Sequence, residues 1–127
     1  MNVRDYLLTV ADSQSIEELW EAHVEKMAEF GFDRLLYGFT RYRTSTSLGD
    51  PSDFIILTNH SRAYTDVFLD EGHYFHAPMV RWALANEGAK SWKLLADMEQ
   101  SKTLSPAERR VLEFNRDMGV TAGYSIS

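Results

Sequence analysis

Apolar residues along this chain recur at two periods, and Gly, Pro and hydroxyl residues mark where one gives way to the other. Residues 2–10 have the spacing of a short amphipathic helix. After the polar link Asp12-Ser13-Gln14, residues Ile16, Leu19, Trp20, His23, Val24 and Met27 step by three and four, which predicts a second and stronger helix. Ser15 and Glu18 stand at the capping-box spacing, where each side chain satisfies a backbone N–H at the helix start. Gly31 suits a left-handed stop. Residues 35–42 then read as a strand, 44–52 as a polar turn, and 54–57 as the returning strand of a hairpin. Both strands are apolar on each face, which predicts a sheet covered by helices on two sides.

Beyond the hairpin the pattern turns helical. Residues 61–71 predict a third helix with Tyr64, Val67 and Phe68 on one face and Gly72 at its end. Pro78 suits the first turn of a fourth helix reaching about Asn86, where its missing N–H does no harm, and Gly88 closes that element. Ser105-Pro106-Ala107-Glu108 combines an N-cap Ser, a Pro at the first position and a Glu at the third. In the helix it opens, Ala107, Val111, Phe114 and Met118 form the expected buried face and Gly119 the stop. Residues 123–127 begin another extended segment. Helix, helix, strand, strand, helices, strand is the order of an α/β protein, here expected as an α-β-α sandwich around a central, mainly antiparallel sheet.

Composition narrows what such a domain does. A chain of 127 residues, 44% hydrophobic and 25% charged, is one ordinary globular domain with enough length for a core. Its net charge of −6 argues against a grip on nucleic acid, whose phosphates demand a basic surface. The absence of cysteine excludes thiolate chemistry and disulfides, and with no signal peptide or apolar span a cytoplasmic protein is expected. No HExxH, no Gly-x-Ser-x-Gly and no phosphate-cradling Gly loop is present, so no enzyme activity and no cofactor are expected. His73 and His76 beside Asp70 and Glu71 come nearest to a metal set, but Gly72 interrupts the element that carries them. His23 reads as a satisfied core or interface residue, and Glu17, Glu18, Glu21 and Glu25 as a solvated face.

The most informative stretch is residues 59–92, where His60, Tyr64, Phe68 and Tyr74 recur at helical spacing before Ala77-Pro78 and, later, Trp92. By periodicity alone such a stripe is ordinary core. With Gly31-Phe32 ahead of the first strand, the Ser-Pro helix start at Ser105 and the Gly119-x-x-x-Gly123 pair, however, this chain resembles the autoinducer-binding domain of LuxR-type quorum-sensing regulators over most of its length.

That resemblance implies a sensor domain that buries an acyl-homoserine lactone or a related amphipathic signal, including aryl-homoserine lactones. It places Leu36, Gly38 and Thr40 of the first strand and Phe54 and Ile56 of the second along the ligand. It makes His60 and Phe68 walls, adds Ala77 and Met79 at the Pro turn, and assigns polar contacts to Tyr64 and to Trp92. One departure stands out. The family carries an Asp immediately before the Pro, whose carboxylate accepts the ligand's amide N–H, and here that residue is Ala77. A buried amide left unpaired costs about 1–3 kcal/mol, so a signal other than a standard acyl-homoserine lactone is expected. The resemblance further implies a homodimer, no membrane association, and DNA contact only through a helix-turn-helix domain that residues 1–127 do not contain. The sheet is expected to be cut short after its third strand. The rival expectation is a ligand-independent module that dimerises with full-length LuxR-type regulators.

Overall fold

A computed structural model describes every residue from Met1 to Ser127. The protein has a mixed α/β fold with two small antiparallel sheets flanked by helices. It divides into two compact units: residues Met1–Phe39 with Ile55–His60, and Thr40–Phe54 with Ser61–Ser127. No helix is long and apolar enough to cross a membrane.

The first unit holds two helices and a hairpin. Helix α1 (Val3–Asp12) starts where the Asn2 side chain accepts the Asp5 N–H, and α2 (Ile16–Glu29) starts where Ser15 accepts the Glu18 N–H. Glu18 in turn accepts the backbone N–H of Gln14, one residue before the N-cap, so the reciprocal bond forms one position earlier than a strict capping box. The helices are tied by a 2.8 Å hydrogen bond between the Tyr6 hydroxyl and His23 Nδ1, so His23 is indeed satisfied. Of the expected inner face of α2, Trp20, His23, Val24 and Met27 are partly buried, and only its first turn departs from expectation. Ala22 and Lys26 are the buried residues, while Ile16 and Leu19 are exposed. Lys26 is buried because its ammonium is paired: it meets Glu29 at 3.0 Å and the Met1 carbonyl.

Strand β1 (Leu36–Phe39) pairs antiparallel with β2 (Ile55–Thr58), in the register Leu36 to Thr58 and Gly38 to Ile56. The first strand is shorter than the sequence predicts, and the second keeps its four residues but starts one position later. Asn59 closes the open end, its Oδ1 accepting the Leu35 N–H at 2.6 Å and its Nδ2 donating to the Asp33 carbonyl at 2.9 Å. Two covered faces are not what these strands have: Leu36, Tyr37, Phe39 and Ile55 are all exposed.

The second unit contains the core. A single turn, α3 (Arg62–Thr65), is capped by Ser61 and passes directly into a wider π turn over Asp66–Asp70, closed by Glu71 N–H on the Asp66 carbonyl. Gly72, at a φ of +81°, turns the chain into a 3-10 segment over His73–His76. Helix α4 (Pro78–Ala85) follows with Pro at its first position. Next come two elements too short for periodicity to reveal, β3 (Ala89–Ser91) and α5 (Leu94–Gln100).

Helix α6 (Pro106–Asp117) has the full capping box: Ser105 Oγ accepts the Glu108 N–H at 3.1 Å, and Glu108 accepts the Ser105 N–H at 3.0 Å. Its inner face carries Glu108, Val111, Leu112 and Asn115, whereas Met118 is 38% exposed because it lies past the last turn, as the C-cap. Strand β4 (Tyr124–Ile126) pairs with β3 rather than extending the hairpin, giving a second two-stranded sheet.

Candidate functional site

The second unit's core is an aromatic cluster of Tyr64, Phe68, Tyr74, Ala77 and Val111, with Phe54, Leu69, Val80 and Phe114 packed against it. Tyr64 is its centre. The ring stacks on Phe68 at 5.3 Å and on Phe114 at 5.4 Å, and the hydroxyl donates to Asn115 Oδ1 at 2.9 Å. Burial pushes the Tyr64 phenol up to about 12, so it remains a neutral donor at any ordinary pH. Tyr74 meets Phe54 edge-on at 5.7 Å and stacks on Phe75 at 4.3 Å.

The expected site residues are distributed over both units. Leu36, Gly38, Ile56 and His60 belong to the first, and Thr40, Phe54, Tyr64, Phe68, Ala77, Met79 and Trp92 to the second. Gly38 faces Ile56 across the hairpin, and a Cβ there would sit 3.4 Å from Ile56 Cδ1. Thr40 lies just past the end of β1, with its hydroxyl accepting the Tyr42 N–H at 3.4 Å. Phe54 closes a 3-10 turn (Pro51–Asp53) rather than starting β2, which turns its ring onto Tyr74. Phe68 and Ala77 join Tyr64 in the core, and Met79 is buried on α4.

Ala77 is the N-cap of α4 and offers no side-chain cap, as its methyl group dictates. Trp92 is half-buried. Its backbone N–H donates to the Gly123 carbonyl at 2.9 Å, its ring lies over Gly123, and its indole N–H donates to Ser125 Oγ at 3.0 Å. Both polar groups assigned to the signal, the Tyr64 hydroxyl and the Trp92 indole, therefore already hold partners inside the protein.

The two residues that satisfy these polar groups were not singled out from sequence. Asn115 carries a signal that points to it: a polar residue four positions after Val111, in the apolar stripe of α6. Ser125 carries none, since its role depends on β4 lying beside Trp92. His73, His76, Asp70 and Glu71 do not converge into a set able to hold a metal ion; the His73 ring instead packs edge-on against Phe114 at 5.3 Å.

His60 follows β2 in the first unit, half-buried, with its backbone N–H donating to Thr58 Oγ1 at 3.0 Å. Burial, and secondarily the nearby Arg34, hold its imidazole below the usual histidine range, while Asp33 opposes the shift. The folded state thus binds the His60 proton less readily than the unfolded chain. The resulting stability is complete above the unfolded value of about 6.5 and is lost as pH falls from there through the lower folded-state value.

Two measurements check these assignments. Tyr64→Phe strands the buried Asn115 carbonyl and should lower unfolding free energy by about 1–3 kcal/mol in urea titration; an unchanged midpoint would show that the bond contributes nothing. In His60→Gln the rise in urea midpoint between about pH 5 and about pH 8 should be shallower than in the wild type. Parallel curves would remove His60 as a source of that dependence.

The family model for the autoinducer binding domain matches residues 15–127. No curated protein and no solved structure matches the chain. The family match begins at the Ser15 cap of α2 and runs through the hairpin, the aromatic cluster, the Trp92 seat and β4. This chain belongs to the autoinducer-binding domain family, the signal-sensing domain of LuxR-type transcription regulators.

Proposed function

We propose that this protein binds a small amphipathic signal, as the sensor part of a LuxR-type regulator, and that the aromatic cluster of the second unit forms the apolar side of the site. Family membership over residues 15–127 is the observation that carries this reading. The clustering of Phe54, Tyr64, Phe68 and Ala77 supports placing the site there. Trp92 and Met79 are assigned to the same unit's contribution. A ligand that takes up the Tyr64 hydroxyl or the Trp92 indole has to replace Asn115 or Ser125 as their partner. Binding to the folded state alone would stabilise it by mass action and favour a homodimer.

The chemistry at position 77 shapes the ligand class. Ala77 is buried and has no acceptor, so an amide N–H seated against it goes unpaired. An acyl ester has no such donor. The expected outcome is that 2-octanoyloxy-γ-butyrolactone binds more tightly than N-octanoyl-homoserine lactone, by about 5- to 150-fold in titration calorimetry. Ala77→Asp should reverse that order, because the carboxylate accepts the amide N–H. The same preference in both proteins would place position 77 outside the site.

One observation favours a second reading, a module that pairs with another regulator. Leu7, Leu8, Ile16, Leu36, Tyr37 and Phe39 of the first unit are all exposed, and exposed apolar groups in number mark interaction surfaces. On that reading, sedimentation velocity should show concentration-dependent self-association without any added lactone. A strictly monomeric protein that binds lactone would dismiss it.

A further inference from the structure

The Tyr74 hydroxyl is buried and has no hydrogen-bond partner, a condition no other buried side-chain nitrogen or oxygen in this protein shares. Folded proteins satisfy nearly all such groups, and an exception calls for a reason. The residue is 5% exposed, and its ring meets Phe54 edge-on and stacks on Phe75 within the same cluster that contains Tyr64, Phe68 and Ala77. The hydroxyl therefore belongs to a fixed ring rather than to a side chain free to swing toward water.

Tyr74 also forms part of the wall of an open cleft of about 550 Å³, together with Pro51, Leu69, Gly72, His73 and Phe75. Burial, with the neighbouring Asp50 carboxylate adding to it, raises the phenol above the ordinary tyrosine range, so the group is a neutral O–H donor. Asp50 is itself held anionic by the Ser52 N–H, and Asp70 and Glu71 line the cleft. A negatively charged ligand is disfavoured by those carboxylates. An uncharged one with an apolar body and a carbonyl oxygen matches both the aromatic wall and the unused donor.

We propose that the Tyr74 hydroxyl, sealed from solvent in the ligand-free protein, becomes the donor to the carbonyl of an uncharged acyl or aryl ligand that enters by this cleft and displaces the side chains covering it. The inference rests on the signal-binding reading and supplies it with a polar anchor, since the Tyr64 and Trp92 donors are already engaged and Ala77 has none to offer.

The test compares wild type and Tyr74→Phe, without ligand by thermal unfolding, and by titration calorimetry with N-octanoyl-homoserine lactone, 2-octanoyloxy-γ-butyrolactone and octanoate. Tyr74→Phe should unfold at the same or a higher temperature than wild type, because it deletes a group that nothing in the free protein satisfies. Its affinity for the neutral lactones should fall by about 5-fold or more. Octanoate should bind neither protein.

A lower ligand-free Tm for Tyr74→Phe would overturn the proposal, because the hydroxyl would then have a partner such as a bound water. Unchanged lactone affinity would overturn it while leaving the signal-binding reading intact. Octanoate binding as tight as that of the lactones would overturn the uncharged ligand class. A wild type that answers to neither lactone would remove the signal-binding reading, and this anchor with it.

Discussion

The core of the second unit depends on one buried hydrogen bond, from the Tyr64 hydroxyl to Asn115 Oδ1. Each partner would be a liability alone, since a buried phenol or amide without a mate loses its hydration for nothing. Together they join two segments 51 positions apart in the chain, the short turn α3 and the last helix α6. The rings follow from that bond. With its tip fixed at Asn115, Tyr64 stacks on both Phe68 and Phe114. Tyr74 then fills the space toward Phe54.

A cluster of this kind is both a core and a candidate wall for a ligand, and the two roles set opposing demands. Packing alone is best served by apolar rings with no orphaned atoms. Here Tyr64 is fully engaged while Tyr74 is buried with its hydroxyl unmet. The contrast between two tyrosines in one cluster separates a group that holds the fold from a group with bonding capacity to spare. Ala77 sharpens the contrast, because at the start of α4 it gives neither a helix cap nor an acceptor.

The first unit is built differently. Its buried residues are Ala22 and Lys26, and it relies on paired polar groups where the second unit relies on aromatic packing. Glu29 receives both Lys26 and the N-terminal ammonium, which together hold its carboxyl below the usual carboxylate range. Asn59 ties the end of the hairpin, and Tyr6 ties α1 to α2.

Local chemistry made much of this legible in advance. The Ser15 and Ser105 helix starts, the stops at Gly72 and Gly119 and the Pro78 entry were readable because each depends on residues within one turn of the chain. The aromatic spacing of Tyr64 and Phe68 likewise announced a buried face, and the quoted motifs led to the right family. Tertiary structure decided what those residues touch. Sequence periodicity put Ile16 and Leu19 on one face of α2 with Trp20, His23, Val24 and Met27; the last four are partly buried, yet the first two are exposed and Lys26 is buried because an ion pair satisfies it. It had 123–127 as an extended segment, which the resemblance made the third strand of one sheet, yet β4 found β3, a three-residue partner with no period to detect. That Tyr64 would be satisfied by Asn115, Trp92 by Ser125, and Tyr74 by nothing depends on atoms brought together from distant parts of the chain. Hydrogen bonding acts over about 3 Å in space, and spacing along a sequence carries no record of which distant groups will come that close.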